Sequence, residues 1–195
     1  MSGSNGGLAL VMSGGGARAA YQVGFLRYLA ERRPDLAIPI LTGVSAGGIN
    51  AAFLAAHPEA FGEKVERLTK VWVGLTPDQV FHVGRVPLAR NVVRLGLRLV
   101  SGGLIRLSRS HSFLDTTPLW QFLEATLGSD GGGLPGIGAN LRSGRLEAVA
   151  LTTSSYSTGQ SITWIQGEHV TDWERAHRRS RSCTLTVAHV MASAA

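Results

Sequence analysis

Two short stretches hold the residues best suited to chemistry. The first is Gly43-Val44-Ser45-Ala46-Gly47. A serine with glycines two positions before and two after fits a sharp strand-to-helix corner on which the hydroxyl stands exposed as a nucleophile. The glycines have a steric job, since a serine forced into such a corner leaves no room for side chains at those positions. The corner also opens a helix. Its free N–H groups and positive dipole end favour a developing negative charge, which adds the Ala46 amide to the candidate donors. The same letters also occur by chance in small-residue turns, so the flanking elements decide.

The second stretch is Ser13-Gly14-Gly15-Gly16-Ala17-Arg18-Ala19. A glycine loop between a first strand and a first helix turns bare N–H groups toward an anion, and three uses compete for it. Gly14, Gly16 and Ala19 match the G-x-G-x-x-A spacing of a dinucleotide-binding turn. That use needs an acid about 20 residues on, at the end of the second strand. The nearby acid, Asp35, precedes that strand. Alternatively, the Gly15 and Gly16 amides hold the oxygen of a tetrahedral intermediate formed by Ser45. The plainest use is a tight turn that packs helix on sheet. The oxyanion use is favoured because the loop and the serine fall at the same ends of neighbouring parallel strands.

The elements that must position these residues are legible nearby. Leu8 to Met12 reads as a buried strand running into the glycine loop. Tyr21, Leu26, Leu29 and Ala30 then recur near helical spacing, with Arg27, Glu31, Arg32 and Arg33 opposite and Pro34 as the stop. Ile38 to Thr42 is a second strand, and the alanine-rich run to His57 is the helix after the corner. Phe61, Val65, Leu68, Val71 and Trp72 form the apolar stripe of a third helix. Thr117 and Pro118 read as the cap and first turn of another, preceded by Asp115. Leu146 to Thr153 is a strong strand pattern, and Ser161 to Gln166 a weaker one. Residues 1–7 read as a mobile leader and 8–195 as one domain.

Composition sets outer limits. The 195 residues are 44% apolar and carry a net charge of +6. Of 19 basic residues only Lys64 and Lys70 are lysines. A basic balance suits an anionic surface, whether phospholipid or nucleic acid. The region from about 78 to 115 holds six arginines and no acid between its bounding aspartates. In it Arg90, Arg94 and Arg98 share one helical face and Leu88, Val92, Leu95 and Leu99 another. That helix is expected either to cover the core or to lie in a headgroup layer as a lid-like insertion making peripheral membrane contact. The basic run Arg175 to Arg181 reads as solvated surface, and no nucleic-acid partner is expected. Cys183 is the single cysteine, so an internal disulfide is excluded. No histidine pair has zinc spacing, and no metal is expected. No signal peptide or membrane-spanning run is evident, which points to a cytoplasmic or peripheral-membrane location. The sequence leaves the oligomeric state open.

Together, Gly14-Gly15-Gly16-Ala17-Arg18 and, about thirty residues later, Gly43-Val44-Ser45-Ala46-Gly47 resemble the patatin-like phospholipase family. The resemblance implies a three-layer α/β/α fold with a mostly parallel central sheet. It also implies a serine-aspartate dyad that hydrolyses acyl esters of phospholipids or related lipids with no metal or cofactor. By position Ser45 is the nucleophile, Gly14 to Gly16 form the oxyanion loop, and Arg18 holds that loop or helps polarise the site. The family's dyad aspartate stands in an Asp-Gly-Gly or Asp-Gly-Ala motif after a small-residue stretch. Here Val190 to Ala195 resembles that stretch and the chain closes, so an incomplete catalytic domain is expected, with the dyad aspartate missing. Asp130-Gly131-Gly132 copies the letters but in the wrong order along the chain, and a solvated turn is expected there. Asp172 is placed in a loop after the last strand. His169, His177 and His189 follow Ser45 as a Ser-His-Asp triad would need, although that fold has more strands before its elbow. The competing expectations are a catalytically inactive lipid- or partner-binding fragment and, further off, a dinucleotide-binding domain.

Overall fold

The computed structural model describes residues 7–76 and 116–194. The basic helix with Arg90, Arg94 and Arg98, Asp115, and all but Gly7 of the leader lie outside the described residues. The chain divides into two compact units, Met1–Gly74 with Leu123–Ala195, and Leu75–Phe122. Of the second, the described part beyond Thr76 is the first half of helix α4 (Thr117–Leu127).

The first unit is built on a sheet of six strands in the order β1-β2-β3-β4-β6-β5. Strands β1 (Ala9–Met12), β2 (Ile40–Val44) and β3 (Ala148–Ser155) run parallel. Strand β4 (Gln160–Gly167) returns antiparallel to β3 through the Thr158-Gly159 turn. Strand β6 (Arg178–Ser182) pairs parallel to β4, and β5 (Glu174–Arg175) closes the edge. The chain therefore has the α/β class and the mostly parallel sheet expected.

Alternation places the core. Leu41, Gly43, Val149, Leu151 and Thr153 are buried, while Val11 and Val44, one residue out of step, are exposed. Against the buried face lies α2 (Ala46–Ala56), whose Gly48 sits close to the Leu151 side chain. Ten of its residues are buried, so α2 is covered nearly all round, as a central helix must be, with Asn50 its one buried polar side chain. Fully buried Phe53 alone contributes about 1.5–3 kcal/mol of transfer free energy. Around α2 stand α1 (Ala19–Arg32), α3 (Phe61–Gly74), α5 (Pro135–Arg142) and α6 (Val187–Ala194). α3 buries Phe61, Val65 and Leu68, as its periodicity predicts, whereas α1 buries Ala19, Val23 and Leu26 and turns outward Tyr21, expected on the apolar stripe.

Several elements differ from expectation. β1, expected to be buried, is an edge strand in which only Met12 is buried, because no described strand pairs with its outer side. The basic run at Arg175 to Arg181 is mostly strand, held by backbone pairing with β4 that charge patterning does not report. α5 and α6 form where no helix is expected. α5 has Pro135 in its first turn, and its Gly136 approaches Ala56 so closely that a side chain there would meet the Ala56 backbone. α6 is the small-residue stretch itself, packed on β3 and α2 through Val187, Val190 and Ser193.

Candidate active site

Register brings the two glycine stretches level. Met12 pairs with Gly43 across β1 and β2, so both strands end at the same edge. There β2 stops at Val44, α2 starts at Ala46, and Ser45 between them has φ 55° and ψ −131°. Among the described residues it is the one non-glycine with positive φ. Holding a serine in such a conformation costs about 1–3 kcal/mol, which the surrounding packing must offset. The packing is visible in the two glycines. A methyl at Gly43 would lie 2.7 Å from the Gly48 nitrogen, and one at Gly47 would lie 2.8 Å from the Met12 carbonyl carbon. Both sites admit glycine alone because backbone, not a movable side chain, fills the space.

The triglycine loop lies close to the serine. A Cβ at Gly14 would stand 3.2 Å from the Cβ of Ser45 and 3.5 Å from the Val44 carbonyl oxygen. Gly16 takes φ 55°, and the Arg18 N–H donates to the Gly15 carbonyl at 3.1 Å, which turns the chain into α1. The Arg18 side chain is exposed. The N–H groups of Gly15 and Gly16, and those of Ala46 and Gly47, have no acceptor among the described residues. Such amides at one strained corner can receive a negative oxygen with little reorganisation.

Four residues that the sequence reading passed over hold this corner. Ser193 of α6 accepts the Ser45 N–H at 2.9 Å and donates to the Thr152 carbonyl of β3 at 2.8 Å. Its hydroxyl thus ties the corner to the neighbouring strand. The other three form a line across the helices. Trp72 Nε1 donates to Asn50 Oδ1 at 2.8 Å, Asn50 Nδ2 to Gln22 Oε1 at 3.3 Å, and Gln22 Nε2 to the Ser13 carbonyl at 2.6 Å. Because a peptide's C=O and N–H point opposite ways, fixing the Ser13 oxygen fixes the direction of the Gly14 N–H. Asn50 is completely buried, where an unmade hydrogen bond is expensive. One weak signal preceded these contacts: a polar residue at position 50 inside an alanine run.

The candidate acids and histidines lie elsewhere. Asp130 is exposed in a turn closed on Gly133 by a reciprocal backbone pair. Asp172 accepts from the Ser182 and Ser180 hydroxyls at 2.9 and 3.4 Å. His169 and His177 are exposed. His189 Nδ1 accepts the Thr186 N–H at 3.2 Å while its ring meets the Trp164 edge at 5.0 Å, and burial holds its pKa below the ordinary value. Among the described residues no histidine or carboxylate is hydrogen-bonded to Ser45. A cavity of about 380 Å³, lined by Asp35, Leu41, Glu59, Lys64 and Arg145 among others, opens at the other end of β2 and does not include the serine.

No curated protein sequence matches the chain. Among solved structures, a chain of the heterodimeric ExoU-SpcU complex from the type III secretion system of Pseudomonas aeruginosa is 20% identical to this one, with a TM-score of 0.34. The match covers 80% of this chain and 32% of that one, so the chain spans about a third of its length. The family model for patatin-like phospholipases matches residues 10–177, a stretch holding both the triglycine loop and the serine corner. With that match over most of its length, on the α/β scaffold described, the chain belongs to the patatin-like phospholipase family, a family of lipid acyl hydrolases.

Proposed function

We propose that this chain supplies the nucleophile and oxyanion hole of a serine lipid acyl hydrolase acting on phospholipids or related lipids. The observation that carries the reading is the closeness of Gly14 to Ser45, a strained serine at a helix start, which supports a role for the triglycine amides there. Ser45 Oγ attacks the ester carbonyl. The Gly15, Gly16 and Ala46 amides receive the carbonyl oxygen as it becomes negative. Collapse of the tetrahedral intermediate expels the alcohol and leaves an acyl-serine, and attack by water then frees the acid. Each step needs a base that takes a proton and returns it to the leaving group, and we assign that part to an aspartate, as in the family's dyad. Neither Asp130, exposed in its own backbone-closed turn, nor Asp172, whose carboxylate accepts from Ser180 and Ser182, is hydrogen-bonded to Ser45.

The test is covalent labelling. A fluorophosphonate probe and a chromogenic short-chain ester are given to the chain, and labelling at Ser45 with turnover is expected. A second reading is favoured by one observation, the lack of a carboxylate hydrogen-bonded to Ser45 among the described residues. It is that the chain binds lipid or a partner without catalysis. Lipid binding with neither labelling nor turnover would select it.

A further inference from the structure

α1 presents two faces of opposite purpose. Ala19, Val23 and Leu26 are buried inward. Outward, Tyr21, Phe25 and Tyr28 recur at helical spacing and are 83%, 57% and 52% exposed. Three large rings in a row on one open helix face are more apolar surface than isolated exposure explains. The stripe continues into Arg32, whose guanidinium lies 3.6 Å over the Tyr28 ring. From Arg18 to Arg33 the helix and its ends carry four exposed arginines against one exposed glutamate, Glu31, which pairs with Arg27 at 3.4 Å.

We propose that this face of α1 docks onto an anionic lipid surface, with Tyr21, Phe25 and Tyr28 entering the interfacial layer and Arg27, Arg32 and Arg33 meeting the headgroups. Two features select lipid as the occupant. Tyrosines with a wet hydroxyl end and apolar body suit the headgroup boundary, and the flanking charge is complementary to anionic headgroups. Position supplies the reason. Tyr21 stands two residues beyond Ala19, where the glycine loop joins the helix, and its neighbour Gln22 holds the Ser13 carbonyl of that loop. A helix laid flat by this stripe sets the rim of the serine site at the lipid. The inference rests on the acyl-hydrolase reading for the use of such docking, not for its existence.

The whole chain is floated with vesicles of phosphatidylcholine alone and of an equal mixture with phosphatidylglycerol. Flotation with the mixed vesicles is expected. Replacing Tyr21, Phe25 and Tyr28 by serine is expected to lower partition by about tenfold or more. Arg27→Gln with Arg32→Gln and Arg33→Gln is expected to remove the preference for the anionic mixture. Equal flotation of the serine variant and the parent would overturn the inference, as would no flotation of the parent. So would a parent that is a dimer in solution, made monomeric by the serine variant, with no vesicle binding; the face would then belong to a second copy. A single-site check avoids any folding doubt. Phe25→Cys in a Cys183→Ser background, labelled with an environment-sensitive dye, should shift to the blue on mixed vesicles, while the same label at Ser143 should not. Turnover of a soluble short-chain ester should be equal in the parent and the serine variant. If the parent floats through the stripe but turns over no ester, the docking inference stands and the hydrolase reading falls.

Discussion

The two ends of α2 are treated in opposite ways. At its C-terminal end the last carbonyls are closed off by side chains. Asn140 Nδ2 donates to the Ala55 and His57 oxygens at 2.8 and 3.0 Å, and Lys64 Nζ donates to the Leu54 oxygen at 3.1 Å. His57 itself packs at a tilt against the Phe53 ring and reaches the Thr126 carbonyl at 3.1 Å. At the N-terminal end no side chain caps the helix, and the Ala46 and Gly47 amides have no acceptor among the described residues. The same helix is finished at one end and left open at the other. A bare helix end beside a strained serine leaves N–H groups free for an anion, which is what the proposed oxyanion hole requires.

Changes at the two ends should therefore have different readouts, and the largest belongs to the open end. Ser45→Ala should cut ester turnover by about 10⁴-fold or more while the melting temperature changes little, because alanine keeps the backbone strain and loses only the hydroxyl. Retained turnover would move the nucleophile elsewhere. Gly47→Ala should cost about 3 kcal/mol or more in chemical denaturation, since the new methyl meets the Met12 backbone. At the closed end, Asn140→Ala should cost about 2–3 kcal/mol by leaving two buried carbonyls without donors, yet leave turnover per folded molecule within about twofold. A turnover loss as deep as that of Ser45→Ala would erase the contrast. Ser193→Ala lies between. It should cost about 1–2 kcal/mol and lower kcat more than it raises KM, because the loosened corner still binds lipid.

The smallest effect is the pH response of the closed end. Burial holds His57 below its ordinary pKa of 6.5, with the Thr126 carbonyl opposing and Arg67 and Lys64 adding to the shift. The folded protein then binds fewer protons than the unfolded chain just below that value. The stability this histidine contributes is complete above about pH 6.5 and is lost as pH falls through the window beneath it. Thermal melts should drop between about pH 7 and pH 5, and His57→Gln should flatten the slope in part. His189 shifts in the same direction and accounts for some of the remainder.

What the sequence made legible was local. The corner at Ser45, the glycine loop, the stripe of α3 and the alternation of β3 each sit within a dozen residues, where spacing alone encodes geometry. What it hid was long-range or backbone-borne. Ser193 reaches Ser45 across 148 positions, and the Trp72, Asn50 and Gln22 line joins three helices, so no periodicity can pair them. The strand at Arg178–Ser182 owes its place to main-chain pairing while its side chains, Ser180 apart, stay partly wet. α6 is too short and too rich in alanine to show a polar face.

The link from Ser45 to Ser193 also orders events in time. A growing polypeptide carries the reactive corner out of the ribosome long before it carries the hydroxyl that steadies it, and early folding proceeds from the part already made. The corner's last hydrogen bond thus waits on a helix made much later, since the Ser45 N–H meets its acceptor only when α6 has settled against β3.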